Sequence, residues 1–309
     1  MATFLKNILR NKVMLLMVLP GAIWFFFFSY LPLVGTVVAF KQYRFNREGF
    51  WASIVKSEWV GWQNFKFLFS GTDAWVITRN TLFYNIAFIF IGLVLSVAMA
   101  ILLSQLVGKT LAKVYQTGMF LPYFLSWVIV GYFAFSFLSM DRGMLNQILG
   151  WFGVEKVQWY SDPKYWPYIL VFVSLWKSIG YNSVVYLASI LGIDKSLYEA
   201  AMIDGASKWQ QIRNITIPML SPIIIIMTLL AVGRIFYADF GLFYQVPRDS
   251  GTLYSVTNVI DTYVYRGLKT TGEIGMSTAA GLYQSVVGFV LVIVSNFIVR
   301  KVDKDSALF

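Results

Sequence analysis

The chain alternates long uncharged apolar runs with shorter charged connections. Runs at 13–39, 80–106, 115–140 and 274–299 each exceed the roughly 20 residues that a helix needs to cross a bilayer core about 30 Å thick. A fifth run lies between Arg213 and Arg234, opens near Pro218 and continues past Arg234 to about Phe240, giving 218–240. A sixth covers 165–190 and is interrupted by Lys177. Runs of this length with little period-two alternation predict helices rather than barrel strands. The expected fold is an all-α polytopic membrane protein with six transmembrane helices, its membrane domain filling 13–300.

Six spans leave both termini on one side. Lys6, Arg10 and Lys12 in the N-terminal segment 1–12, and Arg300, Lys301 and Lys304 around the tail 301–309, mark that side as cytoplasmic. Lys109 and Lys113, in the short link after the second span, agree. The loop after the first span disagrees, because Lys41, Arg44, Arg47, Lys56 and Lys66 fall outside by this count; long external segments weaken the rule. The first run begins like a signal peptide but is too long for one, so it is expected to stay as an anchor. The first external loop and 151–167 are rich in aromatic residues that suit the membrane interface, and 244–272 is the third external connection, with a short helix expected at 255–264.

Composition narrows the class. Of 309 residues, 58% are hydrophobic and only 13% charged, which cannot coat a soluble domain of this size. The net charge of +10 is scattered between apolar runs, so it reads as an orientation signal and contact with anionic lipid, not as a nucleic-acid surface. The chain has no Cys and no His, which excludes disulfides, thiolate nucleophiles and imidazole catalysis and argues against a transition-metal site. It carries neither a Walker A pattern nor a nucleotide-binding glycine fingerprint, so no cofactor and no enzymatic role are expected of this chain.

One cytoplasmic connection stands out. The loop 191–217 and the start of the fifth span contain SLYEAAMIDGASKWQQIRNITIPMLSP, residues 196–222. Ser196 is placed to cap a helix, with Glu199 completing a capping box. Leu197, Ala200, Ala201 and Ile203 continue that helix, Gly205 interrupts it, and a second helix over 208–214 presents Trp209 and Ile212 beside Lys208 and Arg213. Pro218 then suits the first turn of the next span. Physically this is either a docking knob for a partner's cleft or an ordinary surface-lying loop.

The stretch resembles the EAA loop of binding-protein-dependent ABC importer permeases. Glu199, Ala200, Ala201, Asp204, Gly205, Ala206, Ile215 and Pro218 occupy matching positions, while Ile217 stands where leucine usually precedes the proline. Gly61 to Phe69 with Asn80, Thr81 and Leu82, then Trp176, Lys177 and Gly180, and finally Asn296, Arg300 and Lys301, look like the sugar-importer branch. Within it the chain is most similar to first permease subunits of Gram-positive polysaccharide or complex-oligosaccharide systems. The resemblance implies a type I ABC importer permease fold and a subunit that pairs with a second homologous permease. It implies an ATPase dimer that uses ATP and Mg below the membrane, and a lipid-anchored solute-binding protein that delivers the sugar outside. Glu199, Ala200, Ala201, Asp204, Gly205 and Trp209 would then dock on the ATPase.

Candidates for the sugar path are the polar and aromatic residues inside the spans: Tyr132, Tyr181, Asn182, Tyr186, Arg234, Tyr237, Tyr283 and Gln284. Lys177 lies near mid-membrane, where a charge must face protein or water; a structural bond to a partner or to carbonyls is expected of it. Arg234 is placed to snorkel or to pair with Asp239. The rival reading is an ATP-independent secondary transporter or channel subunit, against which the spans offer almost no Asp or Glu and no obvious inverted repeat.

Overall fold

The computed structural model describes residues 11–106 and 108–302. Lys6, Arg10 and Lys304, with most of the terminal segments 1–12 and 301–309, lie outside the described residues. The chain divides into two compact units.

The first unit comprises the N-terminal part up to Phe69 together with Gly267–Leu282. Helix α1 (Lys12–Phe25) contains Pro20 and passes through a π-helical turn, Phe26–Tyr30, into tighter 3-10 turns at Leu31–Phe40, where Pro32 removes another donor. None of the residues of α1 is buried, so its apolar surface is left for lipid or a partner. The loop after this first run folds as β1 (Lys41–Gln42), α2 (Phe50–Lys56), β2 (Glu58–Trp59) and α3 (Lys66–Phe69), with Lys41 opposite Trp59 in the antiparallel pair. Lys41 is buried; its ammonium donates to the Ile54 carbonyl at 2.7 Å and sits 5.0 Å from the Trp59 ring centroid. Lys56 pairs with Glu48 at 2.6 Å. Two of the basic residues that conflict with the charge rule are therefore held by the loop's own chemistry.

The second unit comprises Ser70–Arg266 and the chain from Tyr283 onward. Its helices are α4 (Thr72–Ser104), α5 (Lys109–Phe120), α6 (Trp127–Leu138), α7 (Met144–Trp151), α8 (Trp166–Leu191), α9 (Lys195–Ile203) and α10 (Lys208–Gln211). They continue with α11 (Ile217–Val232), α12 (Phe240–Gln245) and α13 (Tyr254–Thr257), then with α14 (Ile260–Thr271) up to Arg266 and α15 (Ile274–Val302) from Tyr283, the rest of these two helices belonging to the first unit. Helices α4 and α8 form the central pair. One core gathers Tyr84, Trp166, Leu170, Leu242, Phe243 and Val259; another, around Ala100, Tyr186, Ile190 and Leu220, joins α11 to the same pair.

Among the described residues five helices are long and apolar enough to cross a membrane: Lys12–Phe40, Thr72–Ser104, Pro163–Leu191, Lys208–Val232 and Ile274–Lys301. The sixth expected span, 115–140, is not one helix. It is a pair, Thr110–Phe124 and Trp127–Leu138, bent by 97°. Pro122 opens a 3-10 turn, Leu125 is extended, and Ser126 caps α6 by accepting the Ile129 N–H. The break frees carbonyls, which a membrane protein must satisfy internally. Lys177 does so: its ammonium donates to the Tyr123 carbonyl at 2.6 Å and approaches that of Pro122 at 3.5 Å, over the rings of Tyr123 and Trp127. Gly180, one turn on, lets α8 approach the backbone at Met119, where a Cβ would fall 1.9 Å from the carbonyl oxygen.

Three further boundaries differ from the sequence expectation. The second span starts at Thr72 rather than 80, because Arg79 bonds Asn80 and the Ser255 carbonyl and the helix runs on past it. The fifth starts at Lys208 rather than 218, because a π-helical turn, Ile212–Thr216, carries the helix through Pro218. It also ends at Val232 rather than near 240, where Asp239 starts α12 by accepting the Leu242 N–H. The same carboxylate accepts the Trp127 indole N–H at 2.9 Å. Arg234 is exposed, so the expected Arg234–Asp239 pairing gives way to this bond. The short helix expected at 255–264 is two helices, α13 and the longer α14.

Candidate functional site

The loop between α8 and α11 is a rigid helical knob. Asp194, not Ser196, caps α9: its carboxylate accepts the Ser196 N–H at 2.9 Å, a bond that holds the carboxyl below its ordinary range. An ionised acceptor outcompetes a hydroxyl for this role, so the capping box expected from Ser196 and Glu199 does not form. The capping box sits on α10 instead, where Ser207 and Gln210 exchange bonds of 2.7 and 3.3 Å. Gly205 ends α9 at φ +77°, while the Ala206 N–H reaches back to the Ala201 carbonyl at 2.8 Å. Tyr198 and Thr216 join their hydroxyls at 2.9 Å, and the Gln211 amide donates to the Ala206 carbonyl at 3.1 Å. These bonds tie α9 to a helix running unbroken for 25 residues, Lys208–Val232, about 37 Å at the helical rise.

The knob's surface carries exposed large apolar side chains, two of them, Met202 and Ile203, outside every membrane-length helix among the described residues. Ile203 is 87% exposed, Trp209 68% and Met202 52%, around Glu199, Ala200, Asp204 and Gly205, which are also exposed. Ala201 is half-buried behind them. The Glu199 carboxylate has no hydrogen bond or ion pair among the described residues. Sequence reasoning passed over Met202 and Ile203 as surface contributors; the available signal was two large apolar residues at a helix end, directly before a glycine turn.

The path candidates fall into separate places. Asn182 and Tyr186 line one cavity of about 260 Å³ among α4, α8 and α11, with Ser96, Ser178 and Thr228. The Ser96 hydroxyl is buried there without a hydrogen-bond partner among the described residues, an orphan that a wet cavity or a polar ligand relieves. Tyr132 is exposed and lines a second recess with Tyr244, Gln245 and Arg248. Tyr181 stacks on Tyr123 with ring centroids 4.2 Å apart, next to the break. Tyr237 meets the Ser285 hydroxyl at 2.7 Å, and Tyr283 lies edge-on to Phe236. Gln284 is buried, and its amide is taken up by the Phe236 carbonyl and the Asp261 carboxylate at 2.7 and 3.3 Å. Among the described residues no cluster of His, Cys, Asp or Glu is arranged to hold a metal ion.

A broken span, a largely apolar cavity with a few polar groups and a protruding knob on a membrane-length helix are compatible with a permease-type subunit, and the comparisons with known proteins define that class. Residues 92–304 match the family described as binding-protein-dependent transport system inner membrane component, and the chain belongs to that family. Protein LplB of Bacillus subtilis (strain 168) is 33% identical over 297 residues, covering 96% of this chain and 91% of that protein. The polygalacturonan/rhamnogalacturonan transport system permease protein YteP of the same organism is 31% identical over 302 residues, covering 98% and 92%. Among solved structures, a bacterial ABC transporter involved in the import of the acidic polysaccharide alginate has a chain that superimposes with a TM-score of 0.86. That chain is 32% identical, and the match covers 97% of this chain and 99% of it. The fold is that of a type I ABC importer permease, and the protein is a membrane permease subunit of an ABC-type carbohydrate importer that works with separate ATPase subunits. The ATP-independent carrier or channel is a different class from the one this family defines.

Proposed function

We propose that this subunit carries oligosaccharides or polysaccharide fragments inward, and that the knob made by α9, the Gly205 turn and α10 is the docking element for the ATPase. The observation that carries the proposal is the exposed apolar cluster of Ile203, Met202 and Trp209 on a knob bonded to the 25-residue helix Lys208–Val232. A cleft that closes on this knob moves the helix as a rigid lever, and α11 walls the cavity that holds Asn182 and Tyr186. ATP-driven closure is thereby coupled to access from one side or the other. Glu199, Ala200, Ala201, Asp204, Gly205 and Trp209 form the docking surface, extended by Met202 and Ile203.

In this arrangement the knob and both termini are cytoplasmic, and the segments carrying β1, α7 and α13 are external. A second homologous permease completes the path. An ATPase dimer binds ATP and Mg, and a lipid-anchored solute-binding protein presents the sugar outside. The alginate named for the solved relative and the polygalacturonan named for YteP favour fragments of acidic polysaccharides as cargo. Proteoliposomes holding both permeases and the ATPase test the proposal. Oligosaccharide-loaded binding protein is expected to stimulate ATP hydrolysis, and Gly205→Val is expected to abolish that stimulation. Stimulation unchanged in the variant overturns the role given to the knob.

A further inference from the structure

A larger cavity, about 730 Å³, lies beyond the outer ends of α6 and α8, and no role above uses it. Its size is within the roughly 300–1,000 Å³ of ligand clefts. It is remote from the knob: α8 runs 26 residues, about 39 Å, from Trp166, in edge contact with Tyr160 of the cavity wall, to Leu191 beside α9.

The wall is built to be stiff. Buried Asn146 donates to the carbonyls of Ser139, Met140 and Val157 and accepts from the Val157 N–H and the Trp159 indole N–H, the last at 3.1 Å. Tyr160 donates its hydroxyl to the Val246 carbonyl at 3.2 Å and meets Phe135 edge-on at 5.7 Å. Burial pushes the Tyr160 phenol up to about 12, so this hydroxyl stays protonated and free to donate.

One group in the cavity is left unspent. Arg248 and Asp249 are consecutive non-glycine residues with left-handed backbones, at φ 57° and 49°, a conformation found where surrounding structure imposes it. Asp249 is committed inside the protein, to Arg266 at 2.7 Å and to the Tyr254 hydroxyl at 3.1 Å. Arg248 is not. Its guanidinium lies 4.1 Å from the Phe135 ring centroid and makes no side-chain hydrogen bond among the described residues. It also borders the recess of Tyr132 and Gln245, so one fork of donors faces both spaces. Arg142 and Gln158 line the larger cavity too, with Asp141 as the acidic residue there.

Aromatic walls suit the apolar face of a sugar ring, and a stacked guanidinium with free N–H edges matches the two oxygens of a carboxylate. We propose that this cavity is an entry subsite for an acidic oligosaccharide, in which Arg248 reads a sugar carboxylate. The assignment rests on the proposed import of oligosaccharides and adds to it a site and a selecting residue.

The test uses the assembled transporter, both permeases with the ATPase, titrated with a short hexuronic-acid oligosaccharide and with its carboxyl-reduced, neutral counterpart. The wild type is expected to bind the acidic form at least tenfold tighter. Arg248→Gln is expected to remove most of that preference, Arg248→Lys to keep part of it, and Trp159→Ala to weaken both forms alike. A preference unchanged in Arg248→Gln overturns the subsite while leaving oligosaccharide import standing. If the wild type neither binds nor transports either form with its binding protein present, import itself is refuted and the subsite with it. If Arg248→Gln lowers only capture of the binding protein, equally for both glycans, the cavity is a protein-docking surface and the proposal fails.

Discussion

Replacing Gly180 by alanine probes the packing that holds the broken span. A Cβ at Gly180 falls 1.9 Å from the Met119 carbonyl oxygen and 2.4 Å from its carbon, both backbone atoms of α5. Neither can rotate away, so α5 or α8 has to shift by more than an ångström, which costs about 1–3 kcal/mol for overpacking alone. Gly92 on α4 is the matched control, since a Cβ there meets only Leu175 Cδ2, at 3.6 Å. Both substitutions remove a glycine from a helix interior, a gain of up to about 1 kcal/mol. Gly92→Ala should therefore be neutral or slightly stabilising and Gly180→Ala destabilising. A gap of about 2 kcal/mol between them corresponds to roughly 3 °C in unfolding temperature for a chain of 309 residues. The assay is thermal unfolding of the purified transporter in detergent at one fixed scan rate, because such unfolding is commonly irreversible. If Gly180→Ala unfolds together with Gly92→Ala or above it, the close approach of α8 to α5 is refuted.

Lys177→Met leaves the carbonyls at the break without their cation and is expected to cost about 1–3 kcal/mol; a variant as heat-stable as the wild type excludes Lys177 as the strap on that break. Asn146→Ala removes the hub of the outer cavity wall and should cost about 2–4 kcal/mol, read as faster proteolysis between 139 and 159 in vesicles that expose the outer face. Asp261 gives a pH signature. Burial raises its carboxyl above the ordinary range, against bonds from the Ala238 N–H and the Gln284 amide. The native state therefore holds this proton more tightly than the unfolded chain does. The associated stability is fully present below the unfolded pKa and is lost as pH rises through the raised one. Asp261→Asn should flatten that part of the stability profile above about pH 4, and an unchanged profile contradicts the assignment.

The multi-spanning fold class was legible because hydropathy acts over whole runs of residues, and charge-free runs of this length have few alternatives. Boundaries were less legible, because a charge ends a hydropathy window without ending a helix. Arg79 finds partners on the chain and the helix continues through it; Pro218 is carried by a π-helical turn. The break at Pro122 was hidden inside an apolar window, since the charge that satisfies it, Lys177, is 55 residues away in sequence. In the knob, Gly205 was readable from its residue type, whereas the capping residue was misread by two positions, since Asp194 and Ser196 are both competent caps. The path residues were the least legible. Asn182 and Gln284 have similar side chains in similar apolar surroundings, and only packing decides that one lines a cavity while the other is consumed by Phe236 and Asp261.

Capture of the ATPase by this subunit tests the central claim most directly. Membranes carrying both permeases are solubilised with the ATPase, the subunit is isolated through an affinity tag, and the retained ATPase is measured for wild type, Ile203→Glu and Gly205→Val. Ile203 is 87% exposed, and valine at Gly205 meets no neighbour within 4 Å but is strained at φ +77°, a strain confined to the turn of the knob, so each change is expected to leave the membrane domain folded. The account predicts stoichiometric ATPase with the wild type and a loss of at least tenfold with either variant, at unchanged recovery of the second permease. Full retention of the ATPase by both variants contradicts it.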